Sequence, residues 1–301
     1  MPELPDITVY LESLERRISG LNLVRIRLAN PFLLRTVEPR LEDVFGRAVA
    51  GFRRLGKRVV LELEGDIFLV IHLMIAGRLH WKAPGAKIPG KVGHAAFDFA
   101  NGTLLLTEAG TKKRASLHCV KGAEGLARLD PGGLEVLDVD LHGFAAQLRK
   151  ENHTLKRALT DPRLLSGIGN SYSDEILHHA RLSPLKQTQK MNDDEIRELH
   201  ASIQAVMHLW IERLRKETGD GFPEKVTAFR EGMAVHGRYK KPCPVCGTAV
   251  QRIAYAKNEC NYCPRCQTEG KLLADRAFSR LLKDDWPRTI DELEERMVRS
   301  K

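Results

Sequence analysis

The 301-residue chain has no run of eighteen apolar residues, about the length needed for a membrane-spanning helix. Its longest apolar stretch, IFLVIHLMIAG, is interrupted by His72, which favours two buried strands over a membrane helix. The N-terminus lacks a basic segment followed by an apolar one, so we expect no secretion. Neither an internal repeat nor a low-complexity tract is present, and nothing in the composition indicates disorder.

Acidic residues are in deficit. The chain has 39 Asp and Glu against 48 Lys and Arg, a formal net charge of +9 and a pI near 9.3. An excess of positive charge favours an anionic partner without identifying it. A basic protein without such a partner is the alternative at this point.

The first half of the chain has one helical pattern followed by strand patterns. Ile7, Leu14 and Ile18 recur at helical spacing, with Pro5 suited to a first turn and Gly20 to a stop. Strands are predicted in LVRIRLAN, RVVLELEG, IFLVIHLM and HAAFDFANGTLLLT, the last with a hairpin turn at Asn101-Gly102. The pattern predicts an antiparallel sandwich or barrel.

The second half reads as helical. Short helices are predicted in FAAQLRK, HTLKRALTD and SYSDEILHHARL, and a long one begins at Asn192, with Glu195 placed for a capping box. AFSRLLKDDW and TIDELEERM are predicted as tail helices, the second opened by Thr289 with Glu292 three residues on. The acidic, turn-rich stretch DPGGLEVLDVD is interpreted as an interdomain linker.

These patterns predict an α+β chain, with an antiparallel sandwich or barrel in its first half and a helical region in its second half.

Four of the six cysteines form CPVC and CPRC, separated by sixteen residues. This spacing predicts one structural zinc ion with four thiolate ligands, and a redox pair or free thiols are the alternatives. The predicted ligands are Cys243, Cys246, Cys263 and Cys266. Cys260 offers a second C-x-x-C with Cys263, but CPRC matches CPVC in its proline, so Cys266 is preferred. Cys119 is interpreted as a buried strand thiol.

Two further stretches could contact phosphate. Gly167, Gly169 and Asn170 lie between two helices, where a backbone can approach an anion closely, although a tight helical turn explains both glycines equally well. Between the cysteine pairs, alternating residues predict a β-hairpin whose Arg252 and Lys257 either face phosphate or are simply solvated.

Taken together, MPELPDI at the start, GKRVVLEL, SGIGNSYSDEIL and the four-cysteine finger resemble the formamidopyrimidine-DNA glycosylase and endonuclease VIII family, the helix–two-turn–helix DNA glycosylases. The resemblance spans roughly residues 1–267 and favours the formamidopyrimidine branch, with divergence. It implies a two-domain clamp, with double-stranded DNA in the cleft and a damaged nucleotide flipped out of the stack. The implied α+β architecture is an N-terminal antiparallel β-sandwich with flanking helices and a C-terminal helix–two-turn–helix domain with a zinc-ribbon-like β-hairpin finger. The predicted boundaries are 1–130 for the sandwich, 131–142 for the linker, 143–235 for the helical domain, 236–267 for the finger and 268–301 for a C-terminal helical extension. We therefore expect a monomeric, cytoplasmic, nucleoid-associated base-excision-repair enzyme with glycosylase and abasic-site lyase activities.

The resemblance also implies catalytic roles near the N-terminus. Pro2, exposed by removal of Met1, would attack C1′ of the deoxyribose, and Glu3 would handle protons. Asp6 stands where the family usually has glutamate, and is expected to orient Pro2 or to cap the first helix. Lys57 matches a lysine that contacts phosphate near the lesion.

The remaining implied contacts are with DNA. Asn170 and Lys156 match phosphate contacts of the helix–two-turn–helix motif, and Tyr172 and Glu175 match its tyrosine and acid. Met74 or Ile75 is expected to fill the gap that the flipped nucleotide leaves in the DNA stack. The full set expected to contact DNA is Lys156, Gly169, Asn170, Tyr172, Met74, Ile75, Lys112, Lys113, Arg114, Lys257 and Asn258.

Three departures from the family pattern leave the lesion preference open. Asn258 replaces the finger arginine, with Lys257 as a neighbouring cation. The loop Lys112–Arg114 offers three cations but no aromatic residue, and the reading of the opposite base, which the family assigns to an arginine, does not carry over. Residues 268–301 extend past the usual end. A non-catalytic zinc-finger protein that binds damaged or distorted DNA is the alternative function.

Overall fold

The computed structural model describes residues 1–255, 258–274 and 287–299, which fall into two compact units. The first contains residues 1–133 and 208–228, and the second contains residues 134–207 and those from Phe229 onwards. The predicted tail helix AFSRLLKDDW and the predicted DNA contact Lys257 lie outside the described residues.

The first unit is built on two four-stranded antiparallel sheets. The strands are β1 (Arg25–Leu28), β2 (Val49–Leu55), β3 (Arg58–Leu63), β4 (Ile67–His72), β5 (Gly77–Lys82), β6 (Gly93–Phe99), β7 (Gly102–Glu108) and β8 (Ser116–Lys121). Their orders are β1-β6-β7-β5 and β2-β3-β4-β8. Leu61 and Leu69 of one sheet share a buried cluster with Phe97 and Leu104 of the other, so the predicted antiparallel sandwich is confirmed.

Two helices flank the sandwich. Helix α1 (Leu4–Ile18) contributes Ile7, Leu14 and Ile18 to the same core, as their spacing predicts. Pro5 lies in its first turn, and Gly20, just beyond its end, has φ +71°. Helix α2 (Gly122–Ala127) packs Leu126 against the outer face of the second sheet.

The predicted hairpin exists, but its loop is shifted by one residue. Phe99 pairs with Gly102, so the two-residue loop is Ala100-Asn101 and Gly102 begins β7. A Cβ at Gly102 would lie 2.2 Å from the Trp81 ring. Glycine is therefore required here for close approach to the indole, and not for a left-handed turn.

The second unit is mainly helical. Its elements are β9 (Leu134–Glu135), α3 (Leu141–Arg149), α4 (Leu155–Thr160), β10 (Leu165–Ser166), α5 (Asn170–His179), α6 (Asp193–Thr218, with residues 208–218 in the first unit), β11 (Gln251–Tyr255), β12 (Asn258–Tyr262), α7 (Pro264–Thr268) and α8 (Ile290–Arg299). β9, which lies inside the predicted linker, pairs in parallel with β10. β11 and β12 form the predicted antiparallel hairpin.

The two helix starts that were predicted from capping residues, at Asn192 and at Thr289, are confirmed. Asn192 and Glu195 form reciprocal bonds, with Glu195 N–H donating to Asn192 Oδ1 at 2.8 Å and Asn192 N–H to Glu195 Oε2 at 3.1 Å. At α8, Glu292 N–H donates to Thr289 Oγ1 at 3.2 Å. Within the described ranges, no helix is both long and apolar enough to cross a membrane.

Candidate active site and zinc centre

The N-terminal acids are buried at the start of α1. Glu3 and Asp6 are both almost inaccessible, and Pro2 is buried with them. Asp6 Oδ2 accepts the backbone N–H of Glu3 at 2.8 Å, which caps the first turn. Asp6, although one methylene shorter than the usual glutamate, therefore reaches the backbone of Glu3.

The terminal amine, carried by Met1 in this chain, lies within a cluster of opposite charges. Burial lowers its pKa, Glu3 and Asp6 act against that change, and Arg78 and Lys57 reinforce it. The structure therefore brings together the predicted residues Glu3, Asp6 and Lys57 around the N-terminus, and adds Arg78.

Lys57 lies at the turn between β2 and β3. Leu55 pairs with Arg58, so the turn is Gly56-Lys57, and Gly56 has φ +60°. Arg58 in turn pairs with His72 on β4. Burial, together with Arg58 and Lys57, lowers the pKa of His72 to about 4, so a neutral imidazole accompanies two cations here.

Sequence reasoning did not single out Arg78, although it directly follows the apolar stretch IFLVIHLMIAG. Its Nε donates to Val226 O at 2.6 Å and its Nη1 to Gly77 O at 2.6 Å. Phe222, from the same segment as Val226, packs against Tyr10 with ring centroids 5.6 Å apart. Residues 219–228 are thereby held against the rest of the first unit.

The predicted wedge residues occupy the turn between β4 and β5. Met74 is half-buried with φ +52°, and Ile75 is 61% exposed. A Cβ at Gly77 would lie 2.2 Å from Leu73 O, so this glycine lets the turn close tightly. Of the two candidates, Ile75 is the side chain presented outwards.

The basic loop Lys112–Arg114 is exposed, and a buried carboxylate holds its base. Glu108, 1% exposed, accepts the N–H of Arg114 at 2.9 Å and of Ala115 at 3.1 Å. His94 Nε2 lies 3.2 Å from the same carboxylate. Sequence reasoning missed Glu108, because its partners follow six and seven residues later in a loop of no regular pattern.

In the second unit, the predicted phosphate-contacting turn precedes α5. Gly167 has φ +86°, Gly169 is the N-cap residue, and Asn170 is half-buried at the first helical position. The first turn of α5 contains no acidic side chain, which leaves its amide end electrostatically positive. Tyr172 is buried in the same helix.

Glu175 and Lys156 both lie in the interior of the unit. Glu175 accepts backbone N–H groups from Ala234 at 2.7 Å and from Val235 and His236, each at 2.9 Å. Lys156 is 4% exposed, and its ammonium donates to Asp174 Oδ1, to Ser173 Oγ at 2.8 Å and to Asn170 O at 2.8 Å. A direct phosphate contact by Lys156 would require these bonds to break.

The four predicted ligand sulfurs lie within 4.8 Å of one another. Tetrahedral Zn–S bonds of about 2.3 Å separate sulfurs by about 3.8 Å, and the Cys243–Cys266 and Cys246–Cys263 sulfur distances are 3.9 and 3.4 Å. Burial opposes ionisation of Cys246, yet hydrogen bonds from Thr248 lower the pKa of its thiol to about 6. The residues fit one structural zinc ion.

A histidine on α5 supports this centre. His178 Nε2 lies 3.3 Å from Cys243 Sγ, and burial lowers the pKa of His178 to about 4, so the ring is neutral. Metal-binding residues are commonly oriented by such outer partners.

The other two cysteines are not ligands. Cys260 is buried in β12, where burial and nearby Asp174 raise the pKa of its thiol. Cys119 is a buried thiol in β8, as predicted.

Two of the predicted finger residues, Arg252 and Asn258, lie on the β11–β12 hairpin. Arg252 is exposed, pairs with Glu259 at 3.4 Å and lies 4.5 Å from the Tyr239 ring centroid. Asn258 is the first residue of β12.

Three family models match the chain in the order of these features. They are the formamidopyrimidine-DNA glycosylase N-terminal domain over residues 1–112, its helix–two-turn–helix domain over 133–220, and a zinc finger found in FPG and IleRS over 240–268. The fold and the zinc centre thus define a DNA repair glycosylase of the helix–two-turn–helix class.

Individual relatives agree. A formamidopyrimidine-DNA glycosylase of Heliobacterium modesticaldum is 32% identical over 89% of this chain and its own whole length. An uncharacterized formamidopyrimidine-DNA glycosylase-like protein of Mycobacterium tuberculosis is 40% identical over 50% of this chain and 94% of its own. The Lactococcus lactis Fpg bound to DNA with an abasic site has a TM-score of 0.79 at 27% identity, covering 88% of this chain and 99% of that one. The chain belongs to the formamidopyrimidine-DNA glycosylase family.

Proposed function

We propose that the protein is a bifunctional enzyme that removes a damaged base from double-stranded DNA and cuts the strand at the resulting abasic site, with the Pro2 amine as nucleophile. The observation that carries this proposal is the position of the terminal amine, carried by the half-buried Met1 next to the buried Pro2, in a charge cluster with Glu3, Asp6, Lys57 and Arg78.

The environment suits a nucleophilic amine. A terminal amine has an ordinary pKa near 8, and burial with two nearby cations lowers it, which enlarges the unprotonated fraction at neutral pH. Once Met1 is removed, the Pro2 nitrogen becomes the terminal amine beside Glu3. Its ring restricts the direction in which the lone pair points.

The proposed chemistry needs a nucleophile and a proton carrier. The amine lone pair bonds to C1′ while the glycosidic bond breaks, and the electrons of that bond leave with the base. The Pro2 nitrogen then loses its N–H proton to water and the departing base takes up a proton from water, so the two transfers balance. Glu3 protonates the ring oxygen as the C1′–O4′ bond opens, which leaves an iminium. The iminium acidifies the C2′ hydrogens, so loss of one of them expels the 3′ phosphate and cuts the strand.

Asp6 supports this arrangement without touching the sugar. Its bond to the Glu3 N–H fixes the backbone next to the nucleophile. Both alternatives considered for Asp6, helix capping and orientation of the N-terminus, are served by that single bond.

DNA binding is proposed to use features from both units. Lys57 and the basic loop supply cations. In the helical unit, Asn170 and the α5 amides supply phosphate donors. Ile75 is proposed to fill the gap left by the flipped nucleotide, because it is the exposed apolar side chain of its turn. The protein is proposed to act as a monomer.

Borohydride trapping on a duplex with an abasic site tests the mechanism. Processed protein should form a covalent adduct, and Pro2→Gly or a retained Met1 should abolish it. Glu3→Gln should suppress base removal on a panel of oxidised and ring-opened bases, whereas Glu15→Gln, an exposed acid on the same helix, should behave as wild type. Binding of damaged DNA without any adduct or cleavage would favour the non-catalytic alternative.

A further inference from the structure

Asp174 connects the DNA-contacting turn of the helical unit to the zinc hairpin. It is 1% exposed, in the first half of α5. Its Oδ1 accepts the Lys156 ammonium. Its Oδ2 accepts His236 Nδ1 at 2.8 Å and the backbone N–H of Asn261 at 3.1 Å, with the Asn261 side-chain amide at 3.3 Å.

One oxygen of this carboxylate therefore faces the turn and the other faces the finger. On the turn side, the Lys156 ammonium also donates a hydrogen bond to Asn170 O at 2.8 Å, and so links Asp174 to the turn. On the finger side, Asn261 lies in β12, two residues before the zinc ligand Cys263. The chain of contacts thus runs from the zinc hairpin to the residue predicted to hold phosphate.

The charge state of the network is defined by its partners. Burial opposes ionisation, but Lys156 and His236 hold the pKa of Asp174 below its usual value. A buried carboxylate is tolerated when its hydrogen-bonding partners satisfy it, and such networks have few alternative geometries. The same contacts that make Asp174 stable also leave the turn little freedom.

We propose that Asp174 is a positioning residue, which fixes the Gly169–Asn170 turn relative to the zinc hairpin so that both contact the same DNA backbone. The inference rests on the proposed function, because it requires the turn to bind phosphate. It adds a residue that touches no DNA itself. Its effect should therefore pass through Asn170.

A double-mutant cycle tests this coupling. Affinity is measured by fluorescence anisotropy on a duplex that contains a tetrahydrofuran abasic analogue. Asp174→Asn should weaken binding about tenfold, whereas in an Asn170→Ala background it should have little further effect, since residues that act through one another are not additive. Zinc content should stay at one ion per chain.

A second variant tests the same coupling in case Asp174→Asn does not fold. Asn261→Ala removes one bond to Asp174 and leaves the Lys156 pair intact, so it should weaken binding by a smaller factor, again lost in the Asn170→Ala background. Gln251→Ala, on the other strand of the hairpin, is the control, because its side chain bonds to Ala249 O.

The outcomes separate the two proposals. If Asp174→Asn and Asn261→Ala each weaken binding by the same factor in the wild-type background and in the Asn170→Ala background, the positioning role is overturned. Normal coupling with no borohydride adduct would overturn the proposed catalysis only. Absence of any preference for the abasic duplex would overturn both.

Discussion

Replacement of Lys156 by methionine is the sharpest test of where the structure places this residue. The substitution keeps an unbranched chain of similar length and removes the ammonium that pairs with Asp174. The side chains of the pair are 6% and 0% exposed, so the variant leaves a buried carboxylate without its cation. Breaking such a pair costs about 3–5 kcal/mol, which corresponds to a fall in Tm on the order of 10 °C for a unit of this size.

Calorimetry and salt-dependent DNA binding distinguish this result from a surface role. If Lys156 contacted phosphate directly, the variant would keep its stability and lose about 0.9 from the slope of log affinity against log salt. The buried pair predicts a large loss of stability with a nearly unchanged salt slope. Lys150→Met, an exposed lysine at the end of α3, should change the free energy of unfolding by less than about 0.5 kcal/mol. Wild-type stability in Lys156→Met would contradict a buried Lys156–Asp174 ion pair.

Three further predictions concern the other sites. Arg78→Gln should move the acid limb of the trapping rate to higher pH, because Arg78 lowers the pKa of the Met1 amine and is expected to act in the same way on the Pro2 amine of the processed protein; an unmoved limb would contradict the charge cluster. Removal of zinc by a chelator should abolish amide protection in β11 and β12 and weaken DNA binding more than tenfold, while protection in β3 and β4 persists; a protected hairpin without metal would argue against a structural ion. Glu108→Gln should raise the hydrogen-exchange rates of the Arg114 and Ala115 amides, at a cost of about 1–3 kcal/mol in local stability; unchanged rates would show that the carboxylate does not hold the loop.

Local signals in the sequence predicted most of the elements. The helical spacing of Ile7, Leu14 and Ile18 and the capping pair Asn192 and Glu195 act over a few residues, so they are visible before folding. The hairpin loop lies one residue before its predicted position. Gly102 is needed for its contact with Trp81, twenty-one positions away, and not for the turn. Turn chemistry alone could not reveal that contact.

Long-range packing determined which charged groups meet. Arg78 reaches Val226 across 148 positions, and Asp174 bonds to Asn261 across 87. Residues so far apart along the chain show no periodic pattern from which the contact could be predicted. The same applies to Glu175, whose three N–H partners come from a segment that has no regular structure of its own.

The family, the zinc ligands and the chemical groups available at the N-terminus could all be predicted from residue types at short fixed spacings. The burial of Lys156, its bonds to Asn170 O, Ser173 and Asp174, and the place of Arg78 near the terminal amine depend on packing between distant segments. The physical reason is that a charge is stable in the interior only beside partners that satisfy it, and the folded chain alone specifies those partners.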